Sequence, residues 1–164
     1  MKLTTKSRYA VMAMVDLASQ ASAAGPDADP VLLATLASNQ DLSIAYLEQL
    51  FAKLAKAGLV IGQRGPRGGY RLTKNPDAIT VADIVGAVSE ETRATRCAHI
   101  NKGGAHIEKQ GCLPGGRLCL THDLWAGLTD HIADFLGNIT LQDVLDRKIR
   151  PHSHQTNSNQ VRAA

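Results

Sequence analysis

Two short apolar segments, Leu59-Val60-Ile61 and Tyr70-Arg71-Leu72-Thr73, flank a tip of sequence Arg64-Gly65-Pro66-Arg67-Gly68-Gly69. Glycine and proline crowded into such a tip exclude a helix there and favour a tight reversal, so the flanking segments are predicted to pair as a β-hairpin. The hairpin tip is basic, and what surrounds it in the chain is helical.

Residues 5–19 carry Tyr9, Val11, Met12, Met14, Val15, Leu17 and Ala18 on one broad face, with Thr4 or Thr5 available as N-cap. Ala-Gly-Pro-Asp-Ala-Asp-Pro at 24–30 breaks the chain, and a short helix is predicted at about 31–38. A turn through Asn39-Gln40-Asp41 then leads into a third helix, which Ser43 can cap and Gly58 can end. In that helix Ile44, Leu47, Leu50, Phe51 and Leu54 recur at helical spacing and are predicted to face a core, which turns Tyr46, Gln49, Lys53 and Lys56 to the opposite side.

Three helices followed by a hairpin are the parts of a winged helix-turn-helix. The third helix of such a unit enters the major groove of double-stranded DNA, and the wing reaches the backbone or the minor groove. Charge placement fits that use. Residues 1–74 hold nine Lys/Arg against five Asp/Glu, whereas residues 75–164 hold nine against ten. From Gln49 to Pro76 the basic residues Lys53, Lys56, Arg64, Arg67, Arg71 and Lys74 occur with no acidic residue among them, as a phosphate-facing surface requires. Taken singly, a basic helix face is a solvated face and a glycine-rich tip is a turn; their order and shared charge favour nucleic acid. Gln49 suits base-edge hydrogen bonding, Tyr46 a phosphate or thymine methyl, Arg64 or Arg67 a minor groove, and Glu48 a cytosine.

After the hairpin, Thr80 and Asp83 form a capping-box pattern ahead of a helix at 80–89, with Val81, Ile84, Val85 and Val88 on one face. A loop over 92–121 then gathers all three cysteines, Cys97, Cys112 and Cys119, and leads into His122. Three thiols and an imidazole suggest a four-point metal site, the alternative being three unremarkable thiols in a loop, with Cys119 and His122 about one turn apart at a helix start. Spacing and composition leave structural zinc and an iron-sulfur cluster equally open, with His99 and His106 as spare candidate ligands. An odd cysteine count, confined to one window, argues against a disulfide framework; with no signal peptide or apolar membrane span visible, a reducing cytoplasm is expected. No Cys-x-x-Cys pair, nucleotide-binding glycine motif or Ser-His-Asp pattern suggests an enzyme.

A longer helix at about 122–137 carries Leu124, Leu128, Ile132 and Phe135 on one stripe, flanked by Trp125 and Leu136. A last helix runs from Thr140 to about Arg147, and the polar tail is predicted to be disordered.

The opening Met1-Lys-Leu-Thr-Thr-Lys-Ser-Arg-Tyr-Ala-Val, the segment Tyr46-Leu-Glu-Gln-Leu-Phe51, the wing Arg64 to Tyr70, and Cys119-Leu-Thr-His122-x-x-Trp125 leading to Asn138-Ile-Thr-Leu141 are specific as a set. Over most of residues 1–147 the chain resembles the iron-sulfur cluster regulators, winged-helix bacterial transcription factors that hold a cluster. The resemblance implies a homodimer carrying a 2Fe-2S cluster on Cys97, Cys112, Cys119 and His122, supplied by a cluster-assembly scaffold and used to adjust cluster-assembly genes. It implies a DNA-contacting set of Ser43, Ala45, Tyr46, Glu48, Gln49, Lys53, Arg64 and Arg67. It also implies repression by the cluster-loaded form and binding of a second class of site by the cluster-free form. Two departures stand out: Ala98 to Gly111 widens the gap between the first two cysteines, and Ala45 stands where relatives tend to carry serine.

The expected architecture is therefore mainly α with a small β-hairpin wing, a winged helix-turn-helix plus a long dimerisation helix. Residues 1–79 form the DNA-binding part, 80–147 the cluster loop and dimerisation helices, and 148–164 the tail. The stripe of Leu124, Leu128, Ile132 and Phe135 is expected to pair two subunits over a pseudo-palindromic site, the alternative being an internal core helix.

Overall fold

The computed structural model describes residues 4–25, 29–65, 68–88, 113 and 117–149. Helix α1 runs Thr5–Ala24, with Thr4 as its N-cap accepting from the Ser7 N–H. It extends past the predicted end because Gln20-Ala-Ser-Ala-Ala is compatible with helix, and it stops at Gly25, whose φ of 86° suits glycine. Helix α2 spans Leu33–Gln40 and closes on Asp41 in the left-handed conformation, with the Leu42 N–H returning to the Ala37 carbonyl at 3.0 Å. Asn39 and Gln40 thus belong to the helix, and the turn is later than predicted.

Helix α3, Ile44–Lys56, follows after Ser43, whose hydroxyl accepts from the Tyr46 N–H at 3.2 Å. Strands β1 (Val60–Gln63) and β2 (Gly69–Leu72) then pair antiparallel in the register Val60↔Leu72, Ile61↔Arg71, Gly62↔Tyr70 and Gln63↔Gly69. Val31 adds a bridge to Tyr70 through two hydrogen bonds of 3.0 and 2.8 Å, which ties the entry to α2 onto the hairpin. That bridge removes Val31 from the helix expected to begin at 31.

A 3-10 turn at Pro76–Ala78 leads to α4 (Val81–Val88), whose Thr80–Asp83 capping box is present in full. The next described helix is α5, His122–Gly137, and it is followed by α6, Leu141–Leu145, behind a second capping box at Thr140 and Asp143. Thr80 and Thr140 bridge, so the starts of α4 and α6 lie side by side.

One aliphatic core binds these elements. Met14 and Leu17 of α1, Leu36 of α2, Leu47, Phe51 and Leu54 of α3, Ile84 and Val88 of α4 and Leu141 of α6 are all inaccessible to solvent or nearly so. Phe51 also meets Tyr70 edge-on at 4.7 Å between ring centroids, so α3 and the wing share a contact and are held in one orientation. Helix α5 packs against α4. Among the described residues no helix is long and apolar enough to cross a membrane.

Candidate functional site

At about 100° per residue, the buried quartet Leu47, Leu50, Phe51 and Leu54 defines the inner side of α3. Directly opposite run Ala45, Gln49, Ala52 and Lys56, all exposed. Glu48 is exposed on one flank. On the other flank Tyr46 and Lys53 are half-buried, which corrects the expectation that they share the outer face with Gln49 and Lys56. Tyr46 packs against the core and its ring meets Tyr9 edge-on at 6.0 Å. The Lys53 ammonium donates to the Val88 carbonyl at 3.4 Å, a favourable place for a cation because Val88 ends α4.

Ile44, which helical spacing assigns to the core, is instead 47% exposed. Cα–Cβ bonds tilt toward a helix N-terminus, so the side chain of the first helical residue projects past the end of the packed face instead of onto it. Helical spacing is blind to this end effect.

In the wing, Arg64 and Lys74 are exposed and Arg71 is half-buried on β2, its side chain alternating with that of Tyr70, which faces Phe51. Arg67 lies outside the described residues. The turn at Gly65, with φ 120°, is closed by the Gly68 N–H donating to the Gly65 carbonyl at 2.8 Å. Of the basic residues between Gln49 and Pro76, Arg64 and Arg71 thus sit on the hairpin, Lys74 just after it, and Lys56 on the outer face of α3.

The second candidate site is the turn that opens α5. The His122 N–H donates to the Cys119 carbonyl at 3.0 Å, and the Cys119 sulfur lies 3.5 Å from the Thr121 hydroxyl oxygen. Both candidate ligands are half-buried. The Leu113 N–H donates to the Arg117 carbonyl at 3.1 Å, which draws the residue after Cys112 back toward the approach to Cys119. Cys97 and Cys112 lie outside the described residues, as do the spare candidates His99 and His106. Among the described residues no three potential ligands gather.

Helix α5 divides the stripe predicted on it. Ile132 is half-buried, together with Ala126 and Leu136 and next to the buried Thr129, and this side belongs to the face turned toward the rest of the fold. Leu124, Leu128 and Phe135 keep 64%, 39% and 42% of their surface exposed, with Trp125 between the two groups. The single stripe was an average of two adjacent faces, one packed and one open.

Comparison with known proteins agrees with this arrangement. A family profile described as Rrf2, iron-dependent transcriptional regulator, matches residues 3–147. The HTH-type transcriptional regulator IscR of Escherichia coli O9:H4 (strain HS) is 44% identical over 170 aligned positions, covering 100% of this chain and 96% of that protein. Among solved structures, T. potens IscR superposes with a TM-score of 0.66 at 33% identity, covering 94% of this chain and 93% of that one. The structure of CymR (YrzC), the global cysteine regulator of B. subtilis, gives a TM-score of 0.67 at 30% identity, covering 90% of this chain and 98% of that one. The helix order, the two-stranded wing and the match along nearly the whole described chain place the protein in the Rrf2 family of iron-dependent transcriptional regulators.

Proposed function

We propose that this regulator senses iron-sulfur cluster supply through a 2Fe-2S cluster held by Cys97, Cys112, Cys119 and His122, and that it controls cluster-assembly genes. The observation that carries the reading is the turn at Cys119–His122, where a thiol and an imidazole are set one helical turn apart, both half-buried, at the start of the helix with the open apolar face. The donor chemistry fits. Thiolates are the usual protein ligands of such clusters, and imidazole replaces thiolate in known mixed sets. When bound, the cluster supplies a redox-responsive and removable crosslink between the loop and α5. The fold is shared by regulators named for cysteine and by regulators named IscR, so the effector is read from the cysteine and histidine set and not from the architecture.

In this reading residues 1–79 bind DNA and residues 80–147 hold the cluster and the dimer contact. Leu124, Leu128, Ile132 and Phe135 lie along the pairing surface of a homodimer, with the exposed three at its centre. Two copies of α3 then address half-sites about 34–36 Å apart, one helical turn of a pseudo-palindrome. Ser43, Ala45, Tyr46, Glu48, Gln49 and Lys53 contribute from α3 and its cap, and Arg64 and Arg67 from the wing. A cytoplasmic scaffold protein is the cluster donor.

The test is anaerobic purification with visible absorption, iron, acid-labile sulfide and zinc measured on one sample. Iron and sulfide each at about two per subunit, in a red-brown protein, are expected for a 2Fe-2S centre. A colourless protein with stoichiometric zinc would overturn the cluster reading. His122→Ala is expected to bleach the protein while leaving DNA binding detectable; stable full colour would exclude His122 as a ligand.

A further inference from the structure

We infer that Ile44 is a base-reading residue, whose aliphatic side chain contacts the C5-methyl group of a thymine in the major groove. The inference rests on the DNA-reading role proposed for α3. Ile44 occupies the first position of that helix, and it is the N-terminal residues of recognition helices that reach base edges. Every other large aliphatic or phenyl side chain of α3 is buried, whereas Ile44 is 47% exposed and lies outside the core cluster. Along the helix surface Ile44 lies next to the exposed Glu48, one turn on, with the exposed cap Ser43 before it and Ala45 after it, so it stands at the N-terminal corner of the flank that Glu48 presents.

The chemistry selects one partner. A branched hydrocarbon can neither donate nor accept, and thymine alone among the bases presents an apolar group in the major groove. A β-branched side chain in a helix is confined at χ1, so little rotamer freedom is lost when it docks. Ala45 and Ala52 on the outer face of α3 are small, which lets the helix backbone come close to the groove floor. The polar residues Glu48 and Gln49 read hydrogen-bonding patterns; Ile44 adds a methyl test that they cannot make.

The experiment uses the full-length protein and a duplex enriched by it from a random pool. Thymines in each half-site are replaced singly by deoxyuridine, which removes only the methyl group, and affinity is measured at fixed salt. One thymine per half-site is expected to show a loss of about fourfold, the equivalent of one buried methyl. Ile44→Ala should lose at least as much on the thymine duplex and become indifferent to uracil at that position, with Ile44→Val intermediate. Wild-type affinity unchanged at every uracil, or an Ile44→Ala protein that keeps the methyl sensitivity, would overturn the inference while leaving the DNA-binding reading in place. Failure of the pool to yield any preferred sequence would overturn both. A change in oligomeric state on Ile44→Ala would assign the side chain to a contact between copies and also overturn it.

Discussion

Gly69 is the position where a single methyl group should do the most damage to the wing. A Cβ built there would lie 2.5 Å from the Val31 carbonyl oxygen, 2.7 Å from its carbon and 2.9 Å from the Pro30 carbonyl carbon. All three are backbone atoms, so no side-chain rotation relieves the contact. Restoring an ordinary separation of 3.4 Å requires the entry strand to retreat by 3.4 − 2.5, or 0.9 Å. The two Val31–Tyr70 hydrogen bonds, at 3.0 and 2.8 Å, would then exceed normal bonding distance. At a net worth of about 0.5–1.5 kcal/mol each, their loss costs about 1–3 kcal/mol. Alanine's lower unfolded-chain entropy offsets about 0.5–1 kcal/mol of this. Gly69→Ala should therefore lower unfolding stability in urea by about 0.5–2 kcal/mol, and it should weaken DNA binding because the wing and the entry to α2 separate. Gly86→Ala is the control. Among the described residues its Cβ meets nothing within 4 Å, and in the α4 interior it should raise stability by about 0.5–1 kcal/mol. Equal stability of the two variants, with undiminished hydrogen-exchange protection at Tyr70, would refute the steric argument.

Three further outcomes follow from particular contacts. Both polar atoms of the Gln40 side chain are buried without a hydrogen-bond partner among the described residues, so Gln40→Leu should raise the urea midpoint, by about 1 kcal/mol in stability; a loss would show that the amide is satisfied in solution. Lys56 is exposed and Lys53 is half-buried against the end of α4, so Lys56→Gln should lower the salt slope of DNA binding by about 1, and Lys53→Gln by less. Equal slopes would place both ammonium groups on phosphates. The Asp143 carboxyl lies below its ordinary value of 3.8, first because the Thr140 hydroxyl donates to it and then because the Thr140 N–H does. Its contribution to stability is present above the unfolded value and is lost as pH falls through the lower folded one. Thr140→Val should move the carbon-detected NMR midpoint of Asp143 upward, and an unmoved midpoint would exclude the hydroxyl as the main cause.

Local chemistry made several features readable from the sequence alone. Ser43 and Thr80 are caps because a short side-chain oxygen can satisfy a helix N–H, and the structure has both. The hairpin is legible because its glycine-rich tip permits little else, and the quartet of Leu47, Leu50, Phe51 and Leu54 because helical spacing brings it to one side. The cysteine and histidine content is likewise a matter of sequence, and the proposed effector is read from it. Tertiary structure decided the rest. The Val31–Tyr70 bridge is a pairing of single residues far apart in the chain, too short to leave any periodic trace. Tyr46 and Lys53 sit at the edge of the α3 outer face, where neighbouring elements determine burial: Tyr9 claims the one and the end of α4 the other. The stripe on α5 splits because α4 covers only part of its apolar circumference, and Ile44 is open because the core ends before the helix does. Periodicity reports which side chains share a direction; whether anything lies in that direction depends on elements packed from elsewhere in the chain.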